Sequence, residues 1–333
     1  MPEILSTTPG LYPLPDWAKE DLRGLKGNQK EDLVSGTESA EIAQTYGTLR
    51  EELLEQQETA GLDRVVEGQA RWDDMLAHPL AVHDSVETRG IVRYYDNNNF
   101  YREPVVTGDL TPDGDVAAEL DAAAEHTEGP LQAVLPGPYS LAQLATDEQY
   151  GDGAAFLDAV ATFLAGEAEQ FPDVETLFLL EPSLVTDPPE TDDEHERVPG
   201  ALDTVADALD TEVVVYPYWG ALGEKLYAHV LDANIDALGF DLVSAPDESV
   251  SNAQEYGTPA DVALGVVDGQ NTRVESAETV RERVEWFDSQ TPQNDYSRVY
   301  ATTNTETFYL PVNRFEEKLD ALATATQLTE VEA

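Results

Sequence analysis

Residues 176–271 contain TLFLLEP (176–182), VVVYPYWG (213–220), ALGFDLV (237–243) and VALGVVDGQN (262–271), four short apolar runs that each stop on polar or aromatic residues. Runs without polar alternation suit strands covered on both faces, as a parallel sheet requires. Between them lie stretches of helical period, Leu202 to Leu209 and Glu224 to Leu231. Strand, helix, strand in this order predicts βαβ units.

The same unit repeats outward in both directions. Upstream runs are Ile4 to Thr8, Arg64 to Glu67 and Leu131 to Leu135, and Arg298 to Thr302 follows downstream. Helical patterns occupy Glu38 to Ala60, Ala154 to Phe171, Ala277 to Phe287 and Val312 to Leu328. Eight strands alternating with helices predict an α/β fold, a single (β/α)8 TIM barrel over residues 1–333. One segment breaks the alternation: Ile91 to Tyr95 and Phe100 to Val106 flank Asp96-Asn97-Asn98-Asn99, which predicts a β-hairpin inserted at residues 90–108 in the second βα unit. Residues Thr186 to Arg197, acidic and with two prolines, read as an exposed loop.

Composition narrows the partners. The 67 acidic residues outnumber 18 basic ones, giving a formal charge of −49. Such a surface repels a phosphate backbone, so nucleic acid is excluded. The acids are interleaved with periodic apolar residues along the whole chain, which makes them a solvated surface rather than an acidic tail. Self-repulsion of this size is relieved by high salt, which points to a halophilic, salt-accumulating cytoplasm. The sequence has no cysteine, hence no disulfide and no thiolate metal ligand. No apolar run approaches the roughly 20 residues of a membrane span, and the first residues lack a secretory signal.

In a barrel of this kind chemistry gathers at the carboxyl ends of the strands. Those ends here are Glu67-Gly68-Gln69, Pro136 to Ser140, Glu181-Pro182, Tyr216 to Gly220, Phe240-Asp241, Asp268 to Asn271 and Thr302 to Asn304. Taken in order, Gly137-Pro138, Glu181-Pro182, Tyr218-Trp219-Gly220, Asp241-Leu242-Val243 and Gly265 to Asn271 resemble the successive signature segments of the cobalamin-independent methionine synthase family. Gly265 to Asn271 and Tyr94 to Asn98 are similar to the amino-terminal, zinc-less half of the two-barrel enzyme. The resemblance implies methyl transfer from a methylated folate or pterin-type donor to homocysteine.

In the zinc-bearing half of that family, His, Cys, Glu and Cys ligands follow the fifth, sixth and eighth strands. The matching positions here carry Tyr216, Tyr218, Asp241 and Thr305, so the resemblance implies no zinc on this chain and a zinc-bearing homologous partner. Under the same resemblance Glu181 and Asp241 hold an amino group, with Asp268 and Asn271 beside the substrate. Tyr94, Tyr95, Tyr218 and Trp219 stack on a flat pterin ring, with Asp96 at the same hairpin, and Arg23, Lys26 and Lys30 hold an anionic folate tail.

Each of these residues also has a plainer role. Strand-end carboxylates can be satisfied by backbone amides, rim aromatics can simply pack, and the three cations can pair with surrounding acids. His78 and His83 stand five apart, off a common helical face, so all five histidines read as structural or surface groups. Two other functional readings stand beside methyl transfer. One is a non-catalytic barrel that stabilises a catalytic methionine synthase subunit. The other is a lyase resembling uroporphyrinogen decarboxylase, which needs more cations at the strand ends than this chain supplies.

Overall fold

The computed structural model describes residues 2–24, 38–95 and 97–328. Lys26, Lys30 and Asp96 lie outside the described residues. Eight strands form one sheet in which every pairing is parallel: β1 (Glu3–Ser6), β2 (Val65–Val66), β5 (Leu131–Pro136), β7 (Thr176–Leu180), β8 (Glu212–Tyr216), β9 (Ala237–Asp241), β10 (Asp261–Val267) and β11 (Arg298–Thr303). The spatial order runs β1-β11-β10-β9-β8-β7-β5-β2. The two ends of that order meet where the Ser6 carbonyl accepts from the Asp63 and Arg64 amides, each at 3.1 Å. The sheet is thus curled into a (β/α)8 barrel.

The strands are mostly apolar, with all five residues of β7 and all seven of β10 buried. Phe178 fills the barrel axis against Tyr216 and Tyr300, ring centroids 5.6 and 6.0 Å away. Around the sheet run the long helices α2 (Ala40–Ala60), α6 (Gly153–Ala168), α8 (Asp192–Ala206), α11 (Ala277–Gln290) and α12 (Val312–Gln327). Shorter ones are α1 (Asp16–Asp21), α3 (His78–Ala81), α4 (Asp115–Ala124), α5 (Pro138–Gln143), α7 (Ser183–Thr186), α9 (Glu224–Val230) and α10 (Pro246–Tyr256).

Two expectations are revised. Residues 186–197 are not all loop: α8 starts at Asp192 because Thr191 and Glu194 form a capping box, and its buried face of Val198, Ala201, Leu202 and Val205 tolerates the internal Pro199. The hairpin strands are β3 (Val86–Arg93) and β4 (Phe100–Val106), paired antiparallel with Arg93 opposite Phe100. Tyr94 and Tyr95 therefore belong to the turn rather than to a strand. Tyr95 takes a left-handed backbone, φ 44°, which ends the extended run. A two-residue strand, β6 (Thr146–Asp147), extends this small sheet beside β4.

Candidate functional site at the barrel mouth

Among the described residues five non-glycines have left-handed backbones: Leu11, Gln69, Met75, Tyr95 and Trp219. All five lie on segments at the carboxyl-terminal side of the barrel. Costly conformations of this type persist only where surrounding structure enforces them, and they cluster at functional sites.

Glu181 ends β7 and is fully buried. Its carboxylate sits at the start of α5, accepting from the Tyr139 amide at 3.0 Å and from the Ser140 amide and hydroxyl at 2.8 and 2.6 Å. Gly137 makes this approach possible, since a Cβ there would lie 2.2 Å from Glu181 Cδ. Burial pushes the Glu181 carboxyl up to about 7, against the pull of its Ser140 donors. Both oxygens are nevertheless occupied.

Asp241 ends β9 and is 1% exposed. Its Oδ1 accepts from the Val243 and Ser244 amides and from Asn304 Nδ2, while Oδ2 has no hydrogen-bond partner. Burial raises its pKa as well. A third carboxylate, Glu306, follows β11 and was not singled out in the sequence. It is completely buried, with Oε1 accepting from the hydroxyls of Tyr94 (2.7 Å) and Tyr218, while Oε2 has no partner. Burial pushes it to about 7, although the two tyrosine donors favour its charged form. In turn, burial and the neighbouring Glu306 raise Tyr94 and Tyr218 well above the ordinary phenol range.

The signal for Glu306 was present. It is the one charged residue between Arg298 and Arg314 in a chain with 26% charged residues. Gly265 on β10 supplies the room, because a Cβ there would stand 2.7 Å from Asn304 Cα and 2.6 Å from the Tyr216 hydroxyl.

Aromatic side chains bridge these acids. Trp219 packs on Tyr95 and Tyr218, centroids 4.9 and 4.8 Å apart, and Tyr94 packs on Tyr95 at 4.7 Å. Trp219 Nε1 is a buried donor with no acceptor. The Tyr95 hydroxyl bonds Ser183 Oγ at 2.7 Å, and the Ser183 amide donates to Ser140 Oγ, the same hydroxyl that holds Glu181. The structure thus brings Glu181, Tyr94, Tyr95, Tyr218 and Trp219 together, and Asp241 joins them through Asn304, two residues from Glu306. Asp268 and Asn271 serve their own turn: Asp268 Oδ1 accepts from the Gln270 and Asn271 amides, and Asn271 Oδ1 accepts from the Arg273 amide. Arg23 is exposed on a short 3-10 turn, Leu22–Gly24.

The zinc of the family's other half does not suit the residues present. The Tyr216 hydroxyl donates to the Thr303 carbonyl, that of Tyr218 to Glu306, and that of Thr305 to the Glu306 carbonyl. Asp241 is the one strong donor at the four matching positions, short of the roughly four N, S or carboxylate ligands of tetrahedral zinc. Among the described residues no group of three or more His, Cys, Asp and Glu side chains converges on a metal position.

Beside the mouth lies an open cleft of about 660 Å³, walled by Ile91, Phe100 and Tyr101 of the hairpin and by Leu11, Tyr12 and Phe308. What the mouth offers chemically is hydrogen-bonding capacity left unused: two carboxylate oxygens that lack donors and one indole N–H that lacks an acceptor. Buried groups of this kind demand a partner. Parallel barrels carry their chemistry at this carboxyl-terminal end, where this one gathers its perturbed titratable groups.

The family follows from comparison. Residues 82–292, more than half the chain, match the model of the cobalamin-independent synthase amino-terminal domain. The chain belongs to that family. A 5-methyltetrahydropteroyltriglutamate–homocysteine methyltransferase of Salinibacter ruber is 31% identical over 196 residues, 56% of this chain and 25% of that protein. The chain therefore matches only about a quarter of that longer relative. A methionine synthase of Sulfolobus acidocaldarius is 22% identical over 290 residues, covering 84% of this chain and 79% of its own. Among solved structures, a B12-independent methionine synthase from a Shewanella species, in complex with selenomethionine, superposes with a TM-score of 0.77 at 20% identity over 98% of this chain and 97% of that one. That likeness establishes the fold.

Proposed function

We propose that this chain is a component of methionine biosynthesis that takes part in methyl transfer to homocysteine, with a methylated folate or pterin as donor. The observation that carries this reading is the mouth itself: Tyr95, Tyr218 and Trp219 pack together beside the buried Glu306, and Asp241 Oδ2 and Glu306 Oε2 lack donors. A pterin has both a flat face for such rings and N–H donors for such oxygens. Family membership supplies the reaction class, because the relatives are named for it.

Thiol activation falls to a second, zinc-bearing polypeptide of the same family, since the residues here do not suit the metal. The four-residue set Glu181, Asp241, Trp219 and Tyr218 recognises the substrate, and Arg23 lies at the rim as a contact for an anionic tail. No helix of the described residues is long and apolar enough to cross a membrane, and a cytoplasmic setting fits the reaction.

Calorimetric titration with 5-methyltetrahydrofolate in multimolar KCl tests the reading. Saturable binding to the native chain, lost in Trp219→Ala, is the expected result. Titration that gives no heat of binding would leave the alternative of a barrel that only stabilises a catalytic subunit, in which case copurification with that subunit survives Trp219→Ala.

A further inference from the structure

The hairpin crosses the barrel mouth and is tied down at its tip to three separate segments. Tyr94 donates to Glu306, 212 residues away, at 2.7 Å; Tyr95 bonds Ser183 after β7 at 2.7 Å; Asn97 Nδ2 donates to the Tyr309 hydroxyl at 2.7 Å. Its strands are held apart from these, where the Arg102 amide and guanidinium bond Asp74 and Arg89 pairs with Glu148. Apolar side chains on the same strands are left open. Ile91 is 76% and Phe100 52% exposed, and both line the open cleft.

Phe308 connects the two regions. It lines the cleft on one side and meets the Tyr94 ring on the other, centroids 6.3 Å apart. With Tyr94 in place, the rings of Tyr94, Tyr95, Tyr218 and Trp219 pack on one another. Tyr94 and Tyr218 both donate to Glu306 Oε1, so this cluster covers the completely buried Glu306 carboxyl.

We infer that the hairpin tip is a latch. Tyr94, Tyr95 and Asn97 fasten it over the mouth, and lifting it joins the cleft to the buried carboxyls. The cleft is the vestibule, and Phe308 its inner wall. The left-handed φ of 44° at Tyr95 is the strained point that the closed fastening enforces. Because Arg102 and Arg89 anchor the strands separately, the tip moves as a short arm and the barrel is undisturbed.

Thiol accessibility reads this directly, because the chain has no cysteine of its own. Ser183, 1% exposed beneath Tyr95, becomes the reporter as Ser183→Cys. That substitution weakens the Tyr95 fastener and leaves the other two to be tested. The latch predicts slow labelling by an aromatic disulfide reagent in Ser183→Cys alone. Adding Tyr94→Phe or Asn97→Ala speeds it roughly fivefold, the effect of one lost hydrogen bond on the closed state. Tyr94→Phe keeps the ring packing, and Asn97→Ala alters only a partly exposed side chain, so each checks the other. Ala323→Cys, buried on α12 far from the hairpin in sequence, controls for general loosening. The latch is overturned by any of three results: labelling of Ser183→Cys as fast as an exposed thiol, rates unmoved by both substitutions, or an equal rise at Ala323→Cys.

Discussion

Glu306 shows how one side chain sets the behaviour of the mouth. Its ordinary pKa of 4.5 is raised to about 7 by burial, so the folded protein holds a proton there that the unfolded chain has released. The sign follows from linkage. The contribution of Glu306 is fully favourable below 4.5, and it is lost as the pH climbs from 4.5 to about 7, by about 3 kcal/mol in all. Glu181, raised by the same cause to about 7, adds a parallel loss. Glu306→Gln removes one of the two. Gln keeps an acceptor for Tyr94 and Tyr218 and cannot ionise. The variant is therefore expected to gain on the native chain across this window, its stability curve falling less steeply. Denaturant unfolding at constant salt and a series of pH values measures it, and two parallel curves would show that Glu306 does not titrate in that range. The sequence made Glu181 and Asp241 visible because each ends an apolar run. Glu306 ends no apolar run, its only mark being its isolation as a charged residue, and it lies three residues beyond the last strand where Gly265 lets Asn304 pack closely.

At the scale of elements, periodicity reported what packs and missed what is capped. β7 is found at the expected Thr176 to Leu180, and α2, α11 and α12 carry the expected amphipathic spacing, because each buries a stripe against the sheet. The beginning of α8 was read as loop, since Asp192, Asp193 and Glu194 look like a solvated run and Pro199 like a stop. In fact the acids sit in the first turn, where the helix dipole favours them, and Thr191 accepts from the Glu194 amide while Glu194 reaches back to the Thr191 amide. Thr191→Ala removes half of that box. A loss of about 1 kcal/mol in unfolding free energy is expected. A variant as stable as the native chain would mean that the buried face alone holds the α8 start. The hairpin was legible from its Asn-rich turn, yet its length was not: Glu87, Thr88 and Arg89 interrupt the apolar pattern, while Glu87 and Thr88 pair with Val105 and Pro104 of β4 before the register shifts.

The whole molecule carries its barrel and its charge on separate residues. The strands are mostly apolar, while the chain carries 67 acids against 18 basic residues, most of the described acids being at least partly exposed. Ion pairs such as Arg50 with Glu119 and Lys318 with Glu275 use basic residues at buried positions, so most surface acids face other acids. At about 0.1 M salt these repel over a screening length of about 10 Å, which spans several neighbours, and at about 1 M that length falls to about 3 Å, shorter than the usual spacing of surface charges. The unfolded chain spreads the same charge over a larger volume, so weak screening favours it. The midpoint of thermal unfolding is expected to rise steeply as KCl goes from about 0.1 to about 1 M and to flatten above that, because little repulsion is left to screen. A different shape separates the alternative. If salt acted by being excluded from the surface, as sulfate and osmolytes do, the rise would continue in proportion to concentration, and an uncharged osmolyte would reproduce it. Measured against KCl and against trimethylamine N-oxide, a gain that saturates in the first and is absent at low concentrations of the second assigns the salt requirement to the acidic surface; equal, linear gains in both would remove it.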